Sequence, residues 1–303
     1  VTPDGRITSE FDDVTVDDVT VGVGPVRGGI PSAAGLTDDE WDDVDDLDER
    51  EDALDEGDAD DRDEDDLADL ELVVLDLAGT TVLDDGLVQR AFERAVDAAG
   101  LASSADGRAA VLAFVHETMG QAKLAVFRSL SADEDQAQHA DAVFESTYAE
   151  LVADGGLRPV PGAEDLIRRL RATGVTVALT TGFSRRTCDI VLDALGWHDL
   201  ADVTLTPEEA GRGRPFPDLP LTALLRTGAS SVEGMVVVGD TASDIASGIA
   251  AGAGLVVGVL TGAHDEQTLL DAGADAVLPS VADLPDLLGY EADGGAAAGH
   301  GIR

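Results

Sequence analysis

Hydrophobic positions follow no period through the first seventy residues, and positions 38–69 form an almost unbroken acidic run. A segment of this kind buries too little apolar surface to offset its ordering entropy, so residues 1–70 are expected to be a disordered leader. Its glycine-rich piece, Gly22-Val-Gly24-Pro-Val-Arg-Gly28, has Pro25 where a phosphate loop would start its helix and no apolar strand before it, and reads as a linker. At Leu72 the pattern changes. Leu72-Val-Val-Leu75 is a short continuous apolar run that ends in Asp76. The same grammar returns at Val175–Leu179, followed by Thr180-Thr181-Gly182, and at Met235–Val238, followed by Gly239-Asp240. Runs of this length, rich in β-branched residues, predict strands buried on both faces of a parallel sheet. Helical periodicity separates them at Ala163–Thr173, Arg185–Leu195, Pro220–Thr227 and Ser243–Ala251, and shorter strands are expected at Asp202–Leu205, Leu255–Val259 and Ala276–Leu278. Strand alternating with helix predicts an α/β fold, a doubly wound, parallel, Rossmann-like sheet.

One stretch breaks that rhythm. Thr81 to Gly174 carries helical patterns at Val88–Ala99, Ala109–Met119, Lys123–Leu130 and Ala132–Val152, too many for a single crossover. The expectation is a helical cap at 85–157, inserted after the first strand of a core formed by 71–84 and 158–290. A frayed tail is expected at 291–303.

Composition adds charge to this picture. The 303 residues hold 62 Asp+Glu against 19 Lys+Arg, a formal net charge of −43. Residues 1–70 account for 27 of the acids and 4 arginines, so the excess continues into the folded region. Such a chain lacks the basic stripe that neutralises phosphates, which argues against nucleic-acid binding. No run reaches the ~18 apolar residues of a membrane span, no basic start precedes an apolar signal run, and the single cysteine, Cys188, allows no internal disulfide. A cytoplasmic protein is the expectation, with the carboxylate-rich, lysine-poor composition of adaptation to high salt. Of the 19 bases only Lys123 is a lysine.

In an open parallel sheet the ligand lies outside the carboxyl ends of the strands. Here those ends carry Asp76, Thr181, and Asp240 with Asp244. Carboxylates converging from two strands suit a hard cation such as Mg²⁺, which takes one or two carboxylates together with waters and a phosphate. The amides of Gly79, Thr80 and Gly182 and the Thr181 hydroxyl can cradle phosphoryl oxygens, with Arg214 as a fixed positive charge. Any one of these residues alone would read as a helix cap or a surface ion pair. Their succession at consecutive strand ends points to a site. The histidines at 139, 198, 264 and 300 have no metal-ligand spacing, and Cys188 reads as core packing.

Asp76-Leu-Ala-Gly79-Thr80-Thr81, Thr181-Gly182, Arg214-Pro215 and Gly239-Asp240-Thr241-Ala242-Ser243-Asp244 resemble, in order, the four motifs of the haloacid dehalogenase superfamily. The resemblance spans about residues 71–290 and includes the cap insertion. Most phosphatases of that superfamily carry a second aspartate two residues after the nucleophile, and here that position is Ala78. With Ala-Gly-Thr-Thr following and arginine as the third-motif cation, the chain is similar to the phosphonatase branch, whose cap lysine forms a Schiff base in a Met-Gly-x-x-Lys stretch. Met119-Gly120-Gln121-Ala122-Lys123 matches it.

The resemblance implies Asp76 as nucleophile, Lys123 as imine-forming amine, Thr181 and Arg214 as phosphoryl ligands, and substrate contacts at Gly79, Thr80, Gly182 and Met119. It implies Mg²⁺ held by Asp76, Asp240 and the Ala78 carbonyl, with Asp244 in support. It is also compatible with a homodimer formed through the cap. The chemistry is coherent: cleaving a carbon–phosphorus bond leaves electrons on carbon, where an acid at position 78 has no use, whereas a protonated imine accepts them as an enamine. A guanidinium cannot form that imine. Departures from phosphonatase lie at Phe183, where tyrosine is expected, and in Leu-Ala-Val after Lys123. The substrate expected is therefore phosphonoacetaldehyde or a related 2-oxoalkylphosphonate. Two alternatives remain open: a phosphomonoesterase acting on a small phosphate ester, and a non-catalytic binding protein of the same fold.

Overall fold

The computed structural model describes residues 70–83 and 85–289. The expected leader up to residue 69, its glycine-rich linker and the tail from 291 lie outside the described residues.

Strand β1 (Leu72–Asp76) is followed by a two-residue strand β2 (Val82–Leu83) and then by helices α1 (Leu87–Ala98), α2 (Ala105–Glu117), α3 (Lys123–Leu130) and α4 (Glu134–Ala153). The chain returns through β3 (Arg158–Pro159) and continues as α5 (Ala163–Ala172), β4 (Thr176–Thr180), α6 (Arg185–Leu195), β5 (Val203–Leu205), α7 (Pro207–Ala210) and α8 (Asp218–Thr227). It ends with β6 (Met235–Gly239), α9 (Ala242–Ala251), β7 (Leu255–Val259), α10 (Glu266–Asp271), β8 (Ala276–Leu278) and α11 (Leu284–Leu287).

Six strands pair in the order β5-β4-β1-β6-β7-β8, all parallel. The period-two alternation decides what each face meets. Val73 and Leu75 of β1, with Val177, Leu179, Val236 and Val238, join the cluster that holds Leu166 and Ile167 of α5 and Cys188 and Val191 of α6. Leu72 and Val74 join Leu219 and Ala223 of α8 on the other face. With apolar neighbours on both sides, β1 shows no polar alternation, which is why it reads as a continuous hydrophobic run. Cys188 is fully buried, and burial pushes its thiol up to about 12, in keeping with packing rather than reactivity.

Helices α1–α4, the segment expected to form the cap, lie between β2 and β3 in the chain. These two short strands pair antiparallel, Val82 opposite Pro159 and Leu83 opposite Arg158, so the outgoing and returning connections form one ribbon. The cap closes around aromatic rings: Phe92 lies 5.1 Å from Phe127 and 4.8 Å from Phe144 between centroids. The same apolar cluster continues onto the core through Tyr148, whose ring is 4.8 Å from that of Phe183, just after β4. No helix among the described residues is long and apolar enough to cross a membrane.

The sheet order reverses direction at β1, with β4 on one side and β6 on the other. A topological switch point of this kind opens a crevice at the carboxyl ends of β1, β4 and β6.

Candidate active site

Asp76 is the last residue of β1 and is 5% exposed. The turn after it is tight: Val82 N–H donates to the Leu77 carbonyl, Gly79 N–H to the Val82 carbonyl, and the Thr81 hydroxyl to the Asp76 carbonyl at 2.8 Å. The turn carries Gly79 at φ +95°, where a Cβ would lie 2.3 Å from Asp240 Oδ2. Only glycine lets the β1 loop come this close to the β6 carboxylate.

Asp240 follows β6 and is fixed from two sides. The Thr80 hydroxyl donates to its Oδ1 at 3.1 Å, and the Ala263 N–H to its Oδ2 at 2.8 Å. Asp244 stands in the first turn of α9, where it forms a capping box with Thr241, accepting from the Thr241 N–H and hydroxyl.

Arg214 ties the strand ends together. Its Nη1 lies 2.7 Å from Asp76 Oδ1 and its Nε 2.6 Å from Asp244 Oδ1, and Nη2 donates to the Thr180 hydroxyl at 2.6 Å. The guanidinium also donates to the Gly120 carbonyl of the cap at 3.4 Å. Thr181 accepts from the Phe183 N–H at 3.2 Å.

These groups border a cavity of about 370 Å³. Asp76, Ala78, Gly79, Thr181, Gly182, Arg214 and Asp240 enter it from the core, and Met119 and Lys123 from the cap. Thr80 and Asp244 are not on its wall; they reach it through Asp240 and Arg214, respectively. Lys123 is the first residue of α3 and is 8% exposed. Its backbone N–H donates to the Gly182 carbonyl at 3.3 Å. Its Nζ donates to the Gln121 carbonyl at 3.2 Å and lies over the Phe92 and Phe183 rings at 5.8 and 5.2 Å. The amine thus faces the same cavity as Asp76, close enough to act on its charge.

The cap loop meets the β4 loop backbone to backbone. A Cβ on Gly182 would lie 2.5 Å from the Gln121 carbonyl oxygen and 2.6 Å from that of Gly120. Gly182→Ala is therefore expected to push the 119–123 loop away from the core, costing about 1–3 kcal/mol of stability and displacing Lys123. Thermal melts and Lys123 reactivity towards an aldehyde would both report it; a variant matching the parent in both would show the loop free to shift.

Three buried carboxylates share one buried guanidinium. Desolvation raises Asp76 above the usual carboxylate range, with Asp244 adding to the rise and Arg214 opposing it. Asp240 is raised as well, by desolvation and then by repulsion from Asp76 and Asp244. Burial alone would lower the pKa of Arg214, but Asp244 and Asp76 outweigh it and raise the value. An excess of buried negative charge, made only of oxygen donors, is what a divalent hard cation relieves. Asp76, Asp240 and the Ala78 carbonyl fit that role, since all three residues border the cavity.

A fourth acid stands near Lys123 in the cap. Asp141 is raised to about 6 by burial and by Glu145 and Glu208, against the opposing pull of Lys123 and Arg128. A raised folded-state value means that ionised Asp141 destabilises the fold at neutral pH and that the penalty fades as pH falls through about 6 towards 4. Asp141→Asn is expected to stabilise the protein at pH 7.5 by on the order of 1–2 kcal/mol after solvent screening, with no gain at pH 4. Melting curves at both values check it, and equal gains at both would contradict it.

Sequence reasoning missed part of the site. Thr180, not Thr181, receives Arg214 Nη2. The loop after β7 is also built in: the Thr261 hydroxyl donates to the Gly79 carbonyl at 2.6 Å, and Ala263 N–H holds Asp240. Its signal was available, because Leu255–Val259 reads as a strand and Thr261-Gly262 follows its carboxyl end.

The haloacid dehalogenase-like hydrolase family matches residues 70–252, more than half of the chain. The chain belongs to this family of hydrolases. Within the family, a phosphonoacetaldehyde hydrolase of Bacteroides fragilis is 30% identical over 156 residues, covering 43% of this chain and 58% of that protein. The chain thus spans less than two thirds of the length of this curated relative. Among solved structures, a hydrolase from Pseudomonas syringae superposes with a TM-score of 0.64 at 24% identity, covering 73% of this chain and 98% of its own. A phosphonoacetaldehyde hydrolase-like protein from Oleispira antarctica gives 0.63 at 24% identity, covering 73% and 91%. These likenesses show the haloacid dehalogenase-like fold.

Proposed function

We propose that this hydrolase cleaves the carbon–phosphorus bond of phosphonoacetaldehyde or a related 2-oxoalkylphosphonate. The observation that carries the reading is the position of Lys123: the one lysine of the chain lies on the wall of the cavity that holds Asp76. Ala78 supports it, because the position two residues after Asp76 carries no carboxylic acid.

Lys123 Nζ condenses with the substrate aldehyde and releases water. An Asp76 carboxylate oxygen attacks phosphorus in line, the carbon–phosphorus electrons move into the protonated imine, and an enamine leaves an aspartyl phosphate. Water hydrolyses the acyl phosphate to inorganic phosphate. The enamine takes a proton on carbon, and hydrolysis of the resulting imine frees acetaldehyde and Lys123. Arg214 and Thr181 hold the phosphoryl oxygens, Asp244 and Thr180 orient Arg214, and Thr80 orients Asp240. Asp76, Asp240 and the Ala78 carbonyl would hold Mg²⁺, which supplies charge neutralisation for the phosphoryl group.

The test is product analysis. Phosphonoacetaldehyde with Mg²⁺ should give inorganic phosphate and acetaldehyde in equal amounts, at a kcat/KM well above that for phosphoglycolate or other small phosphate esters. A preference for the esters would replace this reading with a phosphomonoesterase.

A further inference from the structure

The cap touches the core at several points around the cavity, and one of them is a histidine that the chemistry above does not use. Helix α2 ends at Glu117, and the His116 carbonyl, which accepts from the Met119 N–H at 3.2 Å, keeps a second lone pair for a further donor. Helix α9 begins at Ala242, whose N–H is among the orphan donors of that helix. The ring of His264, 8% exposed, stands between them. Ala242 N–H donates to His264 Nδ1 at 2.9 Å. With Nδ1 accepting, the ring hydrogen sits on Nε2, which faces the His116 carbonyl at 3.2 Å. The two imidazoles also meet edge to face, with centroids 5.3 Å apart.

One ring therefore ends two helices on opposite sides of the cleft. Helix α9 carries Asp244, which holds Arg214. The α2 end runs directly into Met119, Gly120 and Lys123. A second contact keeps the same segment in register: a Cβ on Gly120 would lie 2.4 Å from the Thr241 hydroxyl. On the far side of the cap the Tyr148–Phe183 ring contact and the Ser184 hydroxyl donating to Glu145 are further attachments. The α2 side is also joined to the core by the long Arg214–Gly120 hydrogen bond and the Lys123–Gly182 backbone bond.

We propose that His264 is a positioning residue, a latch from the α9 N-terminus to the α2 C-terminus that holds the 116–123 segment, and with it Lys123, against the core carboxylates. The turnover part of this idea rests on the function proposed above; the structural part does not.

Three variants of the full chain separate a latch from a simple helix cap. Glutamine places its amide where Nε2 lies and keeps the donor to His116. Asparagine places its amide near Nδ1, keeps an acceptor for Ala242 and falls short of the cap. Alanine removes both. Hydrogen exchange should speed up at residues 116–123 in His264→Ala and His264→Asn and return towards the parent in His264→Gln. Turnover of phosphonoacetaldehyde should fall about tenfold in the first two, as expected for one net hydrogen bond, and recover in the third. Hydrolysis of p-nitrophenyl phosphate, which needs the core but no imine, should change less than about threefold throughout. The latch is overturned if asparagine behaves like the parent and glutamine like alanine, or if exchange at 116–123 is unchanged in all three. A parent enzyme with no phosphonoacetaldehyde turnover would overturn the function proposed above, and exchange would still decide the latch.

Discussion

Lys123→Arg is expected to lower phosphonoacetaldehyde turnover by at least about 10³-fold, because a guanidinium forms no imine and no other group in the cavity can accept the carbon–phosphorus electrons. The substitution keeps the charge and most of the apolar stem, so the loss would report chemistry rather than charge. Lys123 is packed between Phe92 and Phe183, and the bulkier guanidinium should cost about 1 kcal/mol of stability. Hydrolysis of p-nitrophenyl phosphate at the core carboxylates should persist within a few-fold. That contrast separates the phosphonatase reading from a phosphomonoesterase, for which both substrates should respond alike.

The second large effect belongs to Asp76. Asp76→Asn should remove both activities by at least about 10⁴-fold, since the attacking oxygen is lost under either enzymatic reading. The same change should leave the melting temperature equal or higher in metal-free buffer. Arg214 keeps Asp244 at 2.6 Å, and removing one of three crowded carboxylates relieves the repulsion on Asp240. Inactive but unweakened protein is the expected outcome, measured by phosphate release and thermal melts with a chelator present. Full binding of substrate by a parent protein that never turns it over would instead favour a non-catalytic role.

What was legible in the sequence follows the physics of each element. Strands β1, β6 and β7 are buried on both faces, so their apolar runs announced them, and β7 and β8 have the expected bounds. Helix α6 was found to the residue because Ser184 caps its start and Gly196 its end. The ribbon of β2 and β3 was invisible: two residues carry no period, and Arg158-Pro159 does not look like a strand. Helix α2 begins at Ala105, earlier than Ala109, because Ser104 caps it ahead of the apolar pattern. In the site, Asp76, Asp240 and Arg214 were readable because each stands in a motif at a strand end. Thr180 and His264 were not, because each acts on a backbone group or side chain distant in sequence, through contacts that only the fold creates.

Lys123 carries the central claim, and covalent trapping tests it most directly. Incubation with phosphonoacetaldehyde and Mg²⁺, followed by borohydride reduction and peptide mass mapping, should place a reduced imine on the peptide containing Lys123. The adduct should be absent without borohydride and absent in Lys123→Arg. A protein that turns the substrate over while trapping no adduct, or that traps it only at the chain's amino terminus, would contradict the account.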